Sequence, residues 1–234
     1  VTVKASLPLK FSGALNDITA TLDGSDISFS APANYNGSET FTVSVSDGEL
    51  VDEQTITVTV NAVNDAPVAT VGLVGTTSED QSVVISLSGS DVDGDALTFS
   101  LATDATNGSV LISGSVATYT PNQDFNGSDS FTFTVSDGDL SDDASITLTV
   151  DAVNDAPVLS NVSDVSFDED GSGSTSLSGS DVDGDALTFS ITGGSDITAT
   201  LDGNDVSFSS PENYNGSETF TVSVSDGELV DEQT

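Results

Sequence analysis

A ten-residue motif returns unchanged ninety positions along this chain: Asp91-Val-Asp-Gly-Asp-Ala-Leu-Thr-Phe-Ser100 recurs at Asp181–Ser190. Asn64-Asp-Ala-Pro-Val68 recurs at Asn154–Val158 with the same spacing. Ser46-Asp-Gly-Glu-Leu50, Ser136-Asp-Gly-Asp-Leu140 and Ser225-Asp-Gly-Glu-Leu229 carry the period to the end, and residues 17–55 match 196–234 almost letter for letter. Such self-similarity means a tandem array of one folding unit. The expected units are a partial repeat at 1–63, a complete one at 64–153, and one at 154–234 lacking its last strand. The third stops at Thr234, where repeat one continues Ile56-Thr-Val-Thr-Val60. Residues 1–8 do not match the corresponding stretch of the other repeats, through either divergence or a reading-frame error at the sequence edge.

Within a repeat, apolar and polar residues alternate. Phe131-Thr-Phe-Thr-Val135 and Ile146-Thr-Leu-Thr-Val150 put apolar side chains on one face and Thr on the other. Period-two alternation with one wet face is the pattern of antiparallel sheets, and no stretch shows helical spacing. Repeat two is expected to hold seven strands, at about 67–74, 83–88, 96–102, 109–113, 116–120, 131–136 and 144–150. Asp23-Gly24 and Asp202-Gly203 read as tight hairpins, and Asn36-Gly37, Asn126-Gly127 and Asn215-Gly216 as turns into the sixth strand. The fold class is therefore all-β: tandem seven-stranded immunoglobulin-like sandwiches. An odd strand count makes the chain leave a sandwich at the end opposite the one where it came in, so repeats are expected to stack head to tail.

Charge narrows the function. The chain has 39 Asp and Glu against 2 Lys and Arg, a net charge of -37, and both cations, Lys4 and Lys10, precede residue 11. Such a surface repels phosphate, which argues against nucleic acid and anionic membrane as partners. Salt bridges cannot offset the self-repulsion, so a divalent cation or high salt must. Acidity alone would suit disorder, but 35% hydrophobic residues in strict alternation argue for a folded chain. With no Cys and no His there are no disulfides, no zinc sites of the usual kind and no Cys or Ser-His nucleophile. No apolar run approaches the ~20 residues of a spanning helix. Acid pairs abound, but they recur in turns every ninety residues rather than once in a cleft, so no enzyme is expected.

With strands alternating in direction, the acids collect at the two tips. The N-terminal tip of repeat two gathers the linker Asn64-Asp65, the loop of Asp91, Asp93 and Asp95, and the hairpin Asp137. The far tip gathers Glu79-Asp80 and Asp129. Stacking brings the far tip of one repeat to the linker of the next. Calcium suits such a junction, because it takes 6–8 carboxylate and carbonyl oxygens in flexible geometry, whereas magnesium keeps its waters. The Asp-Val-Asp-Gly-Asp loop is not an EF-hand, since the twelfth position from Asp91 is Ala102 and the flanks are strands. Isolated Asp-Gly and Asn-Gly pairs are ordinary turn formers, and this also accounts for the Asn-Gly-Ser glycosylation-like triplets.

The combination of Asn-Asp-Ala-Pro-Val at 64 and 154, Glu79-Asp80 and Glu169-Asp170, Asp-Val-Asp-Gly-Asp at 91 and 181, Phe-Asn-Gly-Ser-Asp-Ser-Phe at 125–131 and the Ser-Asp-Gly hairpins is similar to the cadherin-like tandem repeats of large bacterial surface proteins, often exported by type I secretion. That resemblance covers nearly everything after residue 8. It implies calcium (Ca2+) ligands at Glu39, Asn64, Asp65, Asp91, Asp93 and Asp137 in one junction. In the other it implies Glu79, Asp129, Asn154, Asp155, Asp181, Asp183 and Asp226. The first junction lacks an upstream glutamate like Glu79, because repeat one is cut at its start, and is expected to be the weaker site. The linker is one residue shorter than the usual cadherin linker, which leaves the number of ions per junction open.

The resemblance further implies a secreted or cell-surface adhesin stalk, stiffened by calcium, with a role in adhesion or biofilm formation. Its partners would be the neighbouring repeats of the same chain. The alternative is a homophilic or carbohydrate-binding module. Sugar platforms usually need exposed aromatics, whereas there is no Trp, and Tyr35, Tyr119 and Tyr214 are expected to be packed.

Overall fold

The computed structural model describes residues 17–234 in full and the backbone of 9–13; the mismatched residues 1–8 lie outside the described residues. Every regular element among the described residues is a strand. Repeat one contributes β1 (Leu9–Gly13), β2 (Thr19–Asp23), β3 (Asp26–Ser30), β4 (Gly37–Ser46) and β5 (Val51–Val60). Repeat two contributes β6 (Val68–Ala69), β7 (Val74–Ser78), β8 (Val83–Ser86), β9 (Gly89–Ser90), β10 (Thr98–Thr103), β11 (Gly108–Ser113), β12 (Val116–Pro121), β13 (Gly127–Ser136) and β14 (Ser141–Asp151). Repeat three contributes β15 (Val158–Leu159), β16 (Ser172–Ser176), β17 (Gly179–Ser180), β18 (Thr188–Gly193), β19 (Thr198–Asp202), β20 (Asp205–Ser209), β21 (Phe220–Ser225) and β22 (Val230–Gln233).

Repeat two shows the two-layer plan. One sheet runs β10-β13-β14-β7 and the other β11-β12-β8. The alternation fills the space between them: Phe131, Phe133, Val135, Ile146, Leu148, Val150, Ala117 and Tyr119 are all buried, while the interleaved Ser and Thr face outward or sit part-covered. Repeat three builds its core from Leu159, Leu177, Val206, Val222 and Val224, with Phe189, Ile191 and Phe208 packed against it. In repeat one the long hairpin β4–β5 keeps strict register from Gly37↔Val60 to Ser46↔Val51, and Phe41 and Ile18 are buried.

Two of the expected strands are broken. The first, expected at 67–74, divides into β6, which pairs β9, and β7, which joins the sheet of β14. Thr70–Leu73 carries the chain from one sheet edge to the other, and Gly72, at φ 77, takes a backbone conformation that side chains rarely allow. The second, expected at 83–88, divides in step into β8 and β9. Apolar residues run almost continuously from Val68 to Val74, so alternation could not reveal the crossover. The turn before the sixth strand also moves. It lies at Gln123-Asp124, closed by Phe125 N–H donating to Asn122 O at 3.2 Å, with Asp124 at φ 56; Gly127 already begins β13. The Asp23-Gly24 hairpin holds as expected, with Asp23 opposite Asp26 and Gly24 at φ 63.

The crossover brings backbone onto the core. A Cβ on Gly89 would meet Val68 O at 2.9 Å and Val135 Cγ2 at 3.0 Å, and Gly179 stands likewise 2.9 Å from Val158 O. Backbone oxygen in a paired strand cannot yield as a flexible side chain can. Gly89→Ala is therefore expected to destabilise repeat two by about 1–3 kcal/mol. A lowered urea midpoint checks it, and an unchanged midpoint would show that the crossover adapts.

By backbone contacts the chain divides into two compact units. One comprises Val1–Gly75, Val83–Tyr119 and Asp129–Leu148; the other comprises Thr76–Ser82, Thr120–Ser128 and Thr149–Thr234. The second unit thus unites repeat three with the far-tip segments of repeat two, including Glu79, Asp80 and Asp124.

Candidate metal centre

In the first unit, hydrogen bonds tie the linker to the neighbouring loops. Asn64 Nδ2 donates to Asp137 Oδ2 at 2.9 Å, and Asp65 N–H donates to Asp93 Oδ2 at 2.8 Å. Asp137 Oδ1 meanwhile closes its own hairpin by accepting from Asp139 N–H and Leu140 N–H, each at 2.7 Å. The N–H of Leu140, the Asn64 amide and the N–H of Asp139 hold the Asp137 carboxyl below the usual range. Asp91 Oδ1 accepts from Asp93, Gly94 and Asp95 N–H, folding the loop so that Asp91, Asp93 and Asp95 each offer an oxygen within 4.8 Å of the others.

The same pattern recurs in the second unit. Asn154 Nδ2 donates to Asp226 Oδ2 and Asp155 N–H to Asp183 Oδ2, both at 2.8 Å. Asp226 is held low by the N–H groups of Leu229 and Glu228 and by Asn154. Asp181, Asp183 and Asp185 form the matching loop cluster. Here the tip acids of the preceding repeat are present as well. Glu79, only 3% exposed, receives Val153 N–H on Oε1 and Asn126 Nδ2 on Oε2, the latter at 3.4 Å. Glu79, Asp155 and Asp183 converge within 4.8 Å, and so do Asp80, Asp124 and Asp155. Asp155 belongs to both groups. Burial pushes its carboxyl above the ordinary range, and the charges of Asp124, Asp183, Glu79 and Asp80 push it further the same way.

These oxygens fit a hard divalent cation on two counts. Ligands on opposite sides of a calcium ion, each 2.3–2.6 Å from it, stand about 5 Å apart, the scale of these clusters. Asp91 Oδ2, Asp155 Oδ2 and Asp181 Oδ2 are also shut off from solvent with no hydrogen-bond donor, as is Glu39 Oε2 outside these clusters. A carboxylate oxygen left so is costly unless a cation completes it.

The structure places two of the sequence-predicted residues, Glu39 and Asp129, differently, and Glu218 stands as they do. Glu39, Asp129 and Glu218, all just before or within the sixth strand, each clamp a loop inside their own repeat. Glu39 Oε1 accepts from Asp17 and Ile18 N–H, Asp129 from Thr106, Asn107 and Ser130 N–H, and Glu218 from Ser195, Asp196 and Ile197 N–H. A tyrosine hydroxyl completes two of the clamps: Tyr35 bonds Glu39 Oε1 at 3.3 Å, while Tyr119, from a different strand, bonds the shorter Asp129 at 3.1 Å. Burial raises the Asp129 carboxyl, but the donors Ser130, Asn107, Thr106 and Tyr119 together outweigh it and hold the group low. None of the three joins a carboxylate cluster among the described residues. Asp80, set at the far tip by the sequence, joins one together with Asp124, which only the structure brings there. The signal in the sequence was Asp124 standing where repeats one and three carry Asn34 and Asn213. The tyrosines are packed: Tyr119 is buried, and Tyr35 and Tyr214 are half-buried, each with its hydroxyl beside a glycine, Gly37 and Gly216.

Among solved structures, the chain resembles mouse protocadherin-24 EC1-3, with TM-score 0.54 and 11% identity over 99% of this chain and 89% of that one. This likeness concerns the fold. Drosophila N-cadherin EC1-4 aligns at TM-score 0.43 and 9% identity, over 99% of this chain and 67% of that one. The endo-fucoidan hydrolase MfFcnA4 of glycoside hydrolase family 107, as its H294Q variant, aligns at TM-score 0.35 and 24% identity over 96% of this chain; the chain spans 37% of that protein's length. No curated protein sequence matches the chain. The sequence profile described as Bacterial Ig domain matches three times, over residues 2–59, 64–149 and 154–234. With those matches following one another along nearly its whole length, the chain belongs to the bacterial Ig domain family and consists of tandem Ig domains.

Proposed function

We propose that this chain is a non-catalytic segment of a secreted bacterial surface adhesin, a stalk in which calcium bound at the repeat junctions rigidifies the array. The units would be those expected from the sequence, 1–63, 64–153 and 154–234. The observation that carries this reading is Asp155: one linker carboxylate shared by two acid clusters, with an oxygen cut off from both water and donors. One ion would sit among Glu79, Asp155 and Asp183, and a second among Asp80, Asp124 and Asp155. Glu79, Asp80 and Asp124 come from the tip of repeat two, whereas Asp155 and Asp183 come from repeat three. A cation binding them would crosslink consecutive repeats. Without it, five carboxylates repel and the linker flexes.

Small-angle scattering in calcium and in chelator tests the proposal. The maximum dimension is expected to rise and the flexible tail of the scattering curve to fall when calcium is added. An unchanged dimension would sink the stalk reading. Potassium chloride at matched ionic strength is the control, since equal stiffening by salt alone would mean general screening rather than bound ions.

A further inference from the structure

The repeats alternate in kind along the chain. Residues 17–55 and 196–234 differ only at Ser25/Asn204, Ile27/Val206, Ala31/Ser210 and Ala33/Glu212, whereas repeat two departs from both throughout. One departure falls on the junction. The left-handed position in the turn before the sixth strand is Asn34 in repeat one, Asp124 in repeat two and Asn213 in repeat three, at φ 62, 56 and 58. In the first unit, Asn34 lines a cleft of about 260 Å³ together with Asp65 and Asp93. In the second unit, Asp124 clusters with Asp80 and with Asp155, the counterpart of Asp65. One backbone position therefore faces the linker aspartate in both units. It offers a neutral amide in one and a carboxylate in the other.

Resting on the calcium reading above, we propose that this residue grades the junctions: Asp124 makes the junction after repeat two the tighter divalent-cation site, and Asn34 makes the one after repeat one the weaker. An amide oxygen can ligate calcium but adds no charge, and ligand charge count is a main control of affinity at oxygen-ligand calcium sites. Both junctions carry a solvent-shielded, donor-free carboxylate oxygen, Asp91 Oδ2 in the first unit and Asp155 Oδ2 and Asp181 Oδ2 in the second, so that feature marks both for a cation and does not rank them. Because the two kinds of repeat alternate, calcium loads the junctions in two steps. At intermediate calcium the chain is stiff after repeat two and still hinged after repeat one.

Calorimetric titration of the full chain with calcium chloride, at constant ionic strength, tests this. Two classes of site are expected, separated by about tenfold or more in Kd; residues 1–16 hold no Asp or Glu to match Glu79 and Asp80, so the two variants and not the wild-type classes carry the test. Asp124→Asn should weaken the tight class by about tenfold, and Asn34→Asp should strengthen the weak class by a similar factor. Both variants should fold, since each puts at the left-handed position a residue that another repeat already carries there; circular dichroism verifies it. If Asp124→Asn leaves the tight class unchanged, or Asn34→Asp fails to strengthen the weak one, the grading is overturned. A wild-type chain that binds calcium in a single class, untouched by either variant, overturns the grading and leaves the calcium junction standing. A wild-type chain that takes up no calcium at millimolar concentration removes both.

Discussion

Replacing chelator with about 10 mM calcium is expected to stabilise the chain by about 1.4–2.7 kcal/mol per ion, given dissociation constants of about 10⁻⁴–10⁻³ M for extracellular oxygen-ligand sites. For two ions sharing Asp155 this amounts to roughly 3–5 kcal/mol, or a rise of roughly 10–40 °C in the melting temperature of a ninety-residue domain. Differential scanning calorimetry of the full chain checks it. Asp155→Asn should remove most of the calcium-dependent part, because that carboxylate belongs to both clusters. Without calcium the same substitution should be neutral or stabilising, since it removes a charge crowded by Asp124, Asp183, Glu79 and Asp80. Acidification gives the same sign. The Asp155 carboxyl is raised in the folded chain, so its contribution to the calcium-free form grows as pH falls through the raised value toward the ordinary one, and is lost as pH rises. Below the ordinary carboxylate range the trend reverses, as Asp137, Asp226 and Asp129, all held low in the folded chain, give up the stability that their hydrogen bonds supply. An equal melting shift with matched potassium chloride, or none with calcium, would defeat the prediction.

Phe133→Ala should cost repeat two about 3–5 kcal/mol. Phe133 is fully buried, pairs with Leu101 across β10 and β13, and packs on Phe99 at 6.3 Å between ring centroids. Repeats one and three carry Val43 and Val222 at this place. Phe133→Val should therefore cost less than Ala, because the branched side chain keeps part of the volume and the fold already uses it there. Urea unfolding followed by near-ultraviolet circular dichroism reads both variants. A loss under about 1 kcal/mol for Phe133→Ala would mean that the sheets close over the cavity and that the two-layer packing described here is not the stabilising core. No effect on calcium affinity is expected from either variant, because Phe133 lies in the sandwich interior and touches no carboxylate cluster.

Much of the fold was legible in the residues. Period-two runs such as Phe131–Val135 and Ile146–Val150 lie in strands with their apolar faces buried, because a pleated chain alternates its side chains whatever its neighbours are. The ninety-residue period announced a tandem array in the same local way. The linker bonds Asn64–Asp137 and Asp65–Asp93 likewise join residues that the expected strand order had assigned to one tip.

The sequence by itself thus determined the repeat, the strand pattern and the pooling of acids at domain tips, since each follows from local periodicity and from the direction of successive strands. Only the tertiary structure decided which acids share an oxygen cluster. Glu39, Asp129 and Glu218 turn inward to collect loop N–H groups, whereas Asp124 turns toward Asp80 and Asp155 because its left-handed turn sits five residues earlier than Asp129. Likewise, only packing decided that the first strand breaks at Thr70–Leu73 and divides between two sheets, since a continuous apolar run carries no record of which sheet edge each residue will cover. The physical reason is the same in both cases. Periodicity fixes the face on which a side chain lies, while the partner it meets depends on residues tens of positions away, brought near only when the sheets close.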